Sequence, residues 1–345
     1  RRNYPSIRMT KHSLKFISSH FTPDTRNLSP EISLTRNSTI SPESIKTSFK
    51  IQTMNAIAVI PMRSGSTSIR KKNIKLLDGR PLFSFVYYAC VDAGIFEQVW
   101  ISTDSEEFAH IGRTYGAKVW LRQDPAVSTN EASSADMMKE FVEGVVLRDD
   151  CADFDVVYMV HATSPLSHPQ HFRESWDLFR EENADCLVTT YRQHFFRWKE
   201  GRVTEALDSV PIGNRPRRQD WNGHLIESGD FYAARTRIFQ QRDFRGSKIV
   251  QYQLPLIHQY DIDEPDDWFI LENIIRKYGY YPEKMIPDLD YIQENNDILK
   301  FLIKKEIVNI NQVEIFYGSV RDRSDITVLR CNESGVIFLS SLDHY

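Results

Sequence analysis

Between positions 61 and 73 the chain reads Pro61-Met62-Arg63-Ser64-Gly65-Ser66-Thr67-Ser68-Ile69-Arg70-Lys71-Lys72-Asn73. Small residues let backbone N–H groups approach an anion, and four cationic side chains stand among them, the two requirements of a phosphate cradle. The run is neither GxxxxGK[ST] nor GxGxxG, so it is not a Walker or dinucleotide loop; a solvated basic loop is the alternative. Much later, Asp261-Ile262-Asp263 sets two carboxylates on one side of an extended backbone. They repel unless a cation lies between them, and such a pair suits Mg2+, which keeps its other positions for water and phosphate oxygens. The alternative is an acidic turn ahead of a helix near 266–275. Arg215-Pro216-Arg217-Arg218 can clamp phosphate or carboxylate bidentately, act as a nuclear-import patch, or simply be an exposed loop. Asp104, in Ser102-Thr103-Asp104, can take a ribose hydroxyl or a metal, or cap a following helix.

The elements around these residues alternate. Apolar, β-branched runs at 55–60, 99–102, 117–121, 155–161 and 185–190 predict strands, the first ended by Pro61. Helical spacing follows Pro81, Ser105 reads as a helix N-cap with acids behind it, and further helices are predicted over 134–146 and from His168-Pro169 to about Glu182. Strands alternating with helices of this length mean βαβ units and a mostly parallel sheet. Ligands of such sheets bind beyond the carboxyl ends of the strands. The basic loop, Asp104 and His161-Ala162-Thr163-Ser164 all directly follow predicted strands.

The 345 residues have a net charge of −4 and are 41% apolar and 26% charged, ordinary for a globular chain of two or three domains. Residues 1–53 hold nine Lys/Arg against three Asp/Glu and 17 Ser/Thr. That +6 leaves −10 for the remainder, so the body is no general nucleic-acid binder. The stretch 1–53 reads as a disordered or transit-like extension without the apolar run of a secretory signal. No segment approaches the ~20 apolar residues of a membrane span. Cys90, Cys151, Cys186 and Cys331 form no CxxC, so neither a zinc knuckle nor a disulfide framework is indicated.

Taken in order, the segment from Ala58 to Asn73, Ile101–Asp104, Ala162–Pro165, Phe196-Arg197-Trp198, Arg215–Trp221, Gly229-Asp230-Phe231-Tyr232 and Asp261–Asp263 resemble the acylneuraminate cytidylyltransferases, the CMP-sialic acid synthetases, and their animal branch in particular. The resemblance covers roughly 55–280. It implies a Rossmann-like α/β nucleotidyltransferase with helices on both faces of the sheet and a small dimerisation excursion over 185–221. The implied reaction transfers CMP from CTP to the anomeric hydroxyl of an N-acylneuraminic (sialic) acid and releases pyrophosphate, chemistry that is mostly positioning and charge neutralisation. Arg63, Lys72, Asn73, Asp104, Arg122, Ser133 and Ser134 would then surround CTP. His161, Thr163, Ser164, Ser228 and Tyr232 would face the sugar. Asp261 and Asp263 would hold Mg2+, one of them helping to deprotonate the hydroxyl, and Arg217 and Arg218 match the family's essential arginine pair. The implied organisation is an extension (1–53), a catalytic domain (54–284) and a C-terminal segment without assigned role (285–345). A homodimer in the nucleus or cytoplasm is the implied setting, with the secretory pathway possible but unsignalled.

Several positions depart from the family pattern Arg-Gly-Gly-Ser-Lys-Gly-Ile-Pro-Leu-Lys-Asn. Ser64 and Ser68 replace glycines and Thr67 replaces a lysine; Arg70 and Lys71 are the candidates to restore the charge. His161 stands where Gln is usual and Ser228 where Asn is usual. Two alternatives therefore stay open: a weakened paralogue that binds nucleotide or a partner, and a cytidylyltransferase for another 2-keto sugar acid. The Asp-x-Asp-Gly-x-x-Thr pattern of the phosphatase-like domain carried by vertebrate members is not found in 281–345, where a helix (297–307) and strands (313–316, 326–329) are predicted instead.

Overall fold

The computed structural model describes residues 54–129, 132–146, 154–202, 207, 215–240, 246–294, 296–318, 320 and 326–341. The extension expected over 1–53 lies outside the described residues, as do Cys151 and Asn214. Along the chain come β1 (Ala56–Met62), a small hairpin of β2 (Leu76–Leu77) and β3 (Arg80–Pro81), α1 (Leu82–Ala93), β4 (Phe96–Thr103), α2 (Glu106–Thr114) and β5 (Lys118–Leu121). Then follow α3 (Ser134–Phe141), running into a π turn at Val142–Val146, and β6 (Val156–Val160), α4 (Pro169–Glu181), β7 (Cys186–Gln193), β8 (His224–Arg235) and β9 (Ile249–Leu254). The chain continues through α5 (Pro265–Tyr278), α6 (Leu289–Glu294), α7 (Asp297–Lys304), β10 (Val313–Tyr317), β11 (Val328–Cys331) and β12 (Ile337–Leu339).

Seven strands make one sheet in the order β5-β4-β1-β6-β8-β7-β9. β1 is parallel to β4 and β6, β4 to β5, and β7 to β9; β8 alone runs antiparallel, to both β6 and β7. The mostly parallel α/β sheet expected from the alternating pattern is therefore present. The alternation of β1 serves two cores, because successive side chains leave opposite faces. Ala56, Ala58, Ile60 and Met62 pack with Phe83 and Val86 of α1, Phe108 and Ile111 of α2 and Phe172 of α4. Ile57 and Val59 pack with Met137, Met138 and Phe141 of α3. Helices thus cover both faces, and each fully buried aliphatic contributes about 1.5–3 kcal/mol over an exposed one.

Three expectations need correction. β1 does not stop at Pro61: it pairs with β4 through Met62, whereas its pairing with β6 ends at Val59. Pro61, lacking an N–H, is tolerated because the strand has lost one neighbour there. The helix expected over 134–146 is α-helical only to Phe141. β8 and β9 were not foreseen, since β8 carries Glu227, Ser228, Gly229 and Asp230 in its middle and breaks simple alternation.

α2 begins as its sequence indicates, with Ser105 Oγ accepting the Phe108 N–H at 3.4 Å and two glutamates in its first turn, where they oppose the positive end of the helix. The C-terminal segment forms the expected α7, β10 and β11. Its Ile292, Leu299, Val313, Ile315 and Leu329 join the same core as α1 and α2, and the Asp288 N–H donates to the Thr114 carbonyl at 3.0 Å. Position 284 is thus not a break in packing. Among the described residues no helix is long and apolar enough to cross a membrane.

Candidate active site

A cleft of about 640 Å³ opens where β1, β5 and β6 end. It is lined by Arg63, Lys72 and Asn73 from the loop after β1, Arg122 after β5, Ser133 and Ser134 at the start of α3, His161 and Thr163 after β6, and Asp263 ahead of α5. Ser66, Thr67 and Ser68 complete the loop's side of it. Segments far apart in sequence meet here because a third apolar cluster holds them. Ile69 of the basic loop, Leu166 of the loop after β6 and fully buried Ile262 between the two aspartates pack together with Trp268 and Leu271 of α5.

The cations of the basic loop are sorted by its backbone. Lys71 adopts a left-handed conformation (φ 53°) ahead of the 3-10 turn Lys72–Ile74, a conformation rare outside glycine. It points its side chain to Glu107 on α2, Nζ to Oε1 2.7 Å. Lys72 instead faces the cleft, its Nζ donating to the Ile262 carbonyl at 2.6 Å and lying 3.4 Å from Asp263 Oδ1. Neither Arg70 nor Lys71, the candidates to restore the charge missing at Thr67, lines the cleft, and Lys71 is engaged by Glu107.

Other side chains are held by the frame. Arg63 Nη1 donates to the Thr129 carbonyl at 3.2 Å, and Asn73 Nδ2 to the Arg63 carbonyl at 3.2 Å. Arg122 donates to Ser102 Oγ (3.0 Å) and the Ser102 carbonyl (3.1 Å); burial lowers its pKa from the usual guanidinium value, partly offset by Asp104 and Glu140. The Ser133 hydroxyl caps α3, accepting the Asp136 N–H at 3.1 Å and donating to Asp136 Oδ2 at 2.7 Å. Ser68 Oγ donates to the Asp263 carbonyl, a second tie between loop and acidic turn.

The two aspartates differ. Asp263 is exposed at the cleft (78% for the side chain), while Asp261 lies behind the lining. Burial raises the Asp261 carboxyl to about 6 against the opposing pull of the Thr163 hydroxyl and the Ile262 N–H, with Asp263 adding repulsion. Two neighbouring carboxylates, one strained by burial and by its partner's charge, are hard oxygen donors that fit a divalent cation such as Mg2+. Among the described residues no group of three or more His, Cys, Asp or Glu forms a metal cage, so phosphate and water would supply the remaining oxygens.

The remaining predicted residues lie outside this lining. Asp104 neither lines the cleft nor caps α2: its carboxylate accepts the Ser64 N–H (2.8 Å) and hydroxyl (3.0 Å), bracing the basic loop. Ser164 is buried in the turn after β6. Ser228 Oγ donates to Thr189 Oγ1 at 2.8 Å within the sheet. Tyr232 lines an adjoining apolar pocket of about 380 Å³, and its hydroxyl donates to Glu227 at 2.7 Å. That pocket shares His161 and Ser134 with the cleft. Burial lowers the His161 pKa despite the opposing charges of Asp230 and Asp263, leaving a neutral ring at the junction. Arg217 is held in a two-pronged ion pair by Asp220 (2.7 and 3.1 Å), and neither Arg217 nor Arg218 lines the cleft.

Sequence reasoning missed the buried contact between Asp230 and His258, with ring Nδ1 and carboxylate Oδ1 2.6 Å apart. No local pattern links residues 28 positions apart. A cluster of buried titratable groups could be found only once the fold had been built.

A family model described as Cytidylyltransferase matches residues 57–318. N-acylneuraminate cytidylyltransferase A of Danio rerio is 34% identical over 296 residues, covering 82% of this chain and 65% of that protein. N-acylneuraminate cytidylyltransferase of Oncorhynchus mykiss is 33% identical over 295 residues, with coverage of 82% and 65%. The chain thus spans 65% of the length of each of these relatives. The solved structure of CMP:2-keto-3-deoxy-manno-octonic acid synthetase complexed with CTP aligns with a TM-score of 0.49 and 17% identity, covering 65% of this chain and 99% of that one.

Proposed function

The chain belongs to the cytidylyltransferase family, and from that premise we propose that it transfers CMP from CTP to the anomeric hydroxyl of an N-acylneuraminic acid, releasing pyrophosphate. The observation that carries this reading is the meeting of Arg63, Lys72 and Arg122 with Asp263 and Thr163 around one cleft. A triphosphate needs such converging cations, and a paired-carboxylate turn beside them suits its metal. The names of the relatives from Danio rerio and Oncorhynchus mykiss supply the sugar class.

Arg63 and Lys72 bind triphosphate oxygens, and Asn73 fixes the loop backbone that carries them. Arg122, Ser133 and Ser134 surround the nucleoside. His161 and Thr163 face the sugar, with Tyr232 in the adjoining pocket; Ser164, Ser228 and Asp104 act through the backbone they brace. Asp261 and Asp263 hold Mg2+, which when bound neutralises charge on the phosphates. The sugar oxygen attacks the α-phosphorus, its bond to phosphorus forms as the α–β bridge breaks, and pyrophosphate leaves. The hydroxyl proton passes to a carboxylate, for which Asp263, the one of the pair that lines the cleft, is the candidate.

We assign a homodimer as the working assembly. The support is the exposed aromatic surface beyond β7, with Phe195 67% and Trp198 39% exposed beside Phe196 and Trp221 stacked at 5.1 Å. Arg217 and Arg218, outside the cleft of their own chain, then serve that of the second copy. The exposed arginine cluster also supports a nuclear address.

Pyrophosphate release from CTP and Mg2+ with a panel of sialic and other 2-keto sugar acids tests the reading. Turnover with N-acetylneuraminic acid is expected. CTP binding without any turnover would favour a binding-only protein, the reading motivated by Thr67 in place of a lysine; turnover with another acid alone would change the sugar.

A further inference from the structure

β7 and β8 lose register in mid-sheet: Val188 opposes Tyr232, yet Thr190 opposes Glu227, so β8 spends five steps where β7 spends two. The surplus is a bulge at Ser228-Gly229-Asp230-Phe231. Gly229 takes φ +75° there, a value that L side chains rarely adopt. Thr189, fully buried, pins the bulge: its Oγ1 donates to the Phe231 carbonyl at 3.0 Å and accepts from Ser228 Oγ at 2.8 Å. Bulges of this kind re-aim side chains near active sites.

The side chain re-aimed here is Asp230, 3% exposed. Its carboxylate accepts the Nδ1–H of His258, itself 4% exposed, at 2.6 Å. Its carbonyl accepts the His161 N–H at 3.0 Å. His258 sits in the short turn Leu256–Gln259, three residues ahead of Asp261, and its ring abuts that of His171 (centroids 4.9 Å). One buried residue therefore grips both the strand end that presents His161 and the segment that leads into the acidic turn. A buried polar pair is a poor source of net stability compared with apolar packing of the same volume. What it supplies here is a directional link that apolar contacts do not.

We propose that Asp230 and His258 are a positioning pair that sets the acidic turn, with Asp263 in the cleft lining and Asp261 behind it, and so governs divalent-cation binding beside the triphosphate. This rests on the function proposed above, in which the two aspartates hold the cation. Neither Asp230 nor His258 lines the cleft, so their effect passes through the turn.

The test compares His258→Leu, His258→Asn and Asp230→Asn with the unaltered chain. Asn places an amide N–H near the position of Nδ1 and restores the link. Binding of Mn2+ in the presence of CTP is followed by electron paramagnetic resonance, and CTP binding without any divalent cation by calorimetry. In His258→Leu, Mn2+ affinity and the Mg2+ concentration for half-maximal turnover are expected to worsen about tenfold or more, with metal-free CTP affinity within twofold and His258→Asn recovering most of the loss. Asp230→Asn, nearly isosteric, keeps an oxygen that can accept the His258 N–H and is the control expected to stay close to the unaltered chain; His258→Phe, which keeps a ring beside His171 but has no N–H to donate, gives the same comparison where His258→Leu fails to fold. Unchanged Mn2+ affinity in His258→Leu or His258→Phe, a parallel loss of metal-free CTP binding, or no recovery in His258→Asn would overturn the proposal. Absence of pyrophosphate release by the unaltered chain would sink the transfer reading instead, while the Mn2+ and CTP titrations would still judge the pair.

Discussion

Lys72 Nζ lies 2.6 Å from the carbonyl oxygen of Ile262, across 190 residues of sequence. The contact ties the basic loop after β1 to the acidic turn before α5, and it holds an ammonium in the cleft lining, 3.4 Å from Asp263 Oδ1. A lysine so placed can release the carbonyl and take a phosphate oxygen without moving its backbone. The site is thus held in register by one of the groups that would bind substrate.

Replacing Lys72 with Met removes both that link and a phosphate-binding charge. Loss of a charge-assisted hydrogen bond is worth about 1.5–3 kcal/mol, roughly 10- to 100-fold in kcat/KM for CTP. Lys72→Arg should recover part of it. Steady-state pyrophosphate release at varied CTP gives the values, and unchanged kinetics in Lys72→Met would remove the residue from the site.

Ile262 is fully buried between two aspartates. Ile262→Ala should cost about 2–4 kcal/mol by cavity formation and lower the thermal midpoint by several degrees. It should also raise the Mg2+ requirement, which an equally destabilising core change such as Ile57→Val plus Val59→Ala should not. Calorimetry paired with Mg2+ titration separates the two effects.

Asp185 is the anchor of the β7 end. Its carboxylate accepts the Ser247 N–H (3.0 Å) and hydroxyl (2.7 Å), the Lys248 N–H (3.0 Å) and Arg237 (2.6 Å), and these hold its pKa well below the usual carboxylate range. Asp185→Ala leaves several donors unmatched and should cost roughly 2–3 kcal/mol at pH 7. A depressed carboxylate stabilises above its unfolded pKa and loses that contribution as pH falls through its folded value. The variant should therefore show a flatter loss of stability below about pH 4, measured by urea unfolding at several pH values.

His171 is pressed the other way, its pKa lowered to about 3 by burial and by neighbouring His258 and His168. Between that value and the ordinary 6.5 the unfolded chain binds a proton that the folded chain refuses. Stability should thus decline as pH drops below 6.5, and His171→Leu should reduce the slope of that decline. Equal slopes for both proteins would show that His171 does not titrate on unfolding.

Arg217→Ala/Arg218→Ala and Asp263→Asn should each be inactive alone if the arginines serve the second copy. Mixed and reassembled, the two inactive proteins should regain about one quarter of normal activity, from pairs with one intact site. Absence of any recovery would return the arginines to a role within their own chain, or to none.

Much of the site was legible before any fold was built. The loop from Arg63 to Asn73 and the Asp261-Ile262-Asp263 turn betray themselves by residue type over a few positions, and the strand-to-loop junctions lead to the cleft that the two share. The allocation within the loop was not legible: Lys71 and Lys72 are neighbours of one chemistry, and only the left-handed turn at Lys71 sends one to Glu107 and the other to the cleft. Ser228 and Asp104 are suitable ligands by type, yet Thr189 and Ser64 claim them.

By itself the sequence determined the alternation of strands and helices, the sheet's mostly parallel sense and the two charged motifs, because periodicity and composition are local quantities. The tertiary structure alone decided that Ile69, Leu166 and Ile262 share one apolar cluster, that β8 bulges at Gly229, and that Asp230 meets His258. Those outcomes depend on packing between segments as far apart in sequence as Ile69 and Ile262, where burial sets which polar groups must find each other and no spacing along the chain records the pairing.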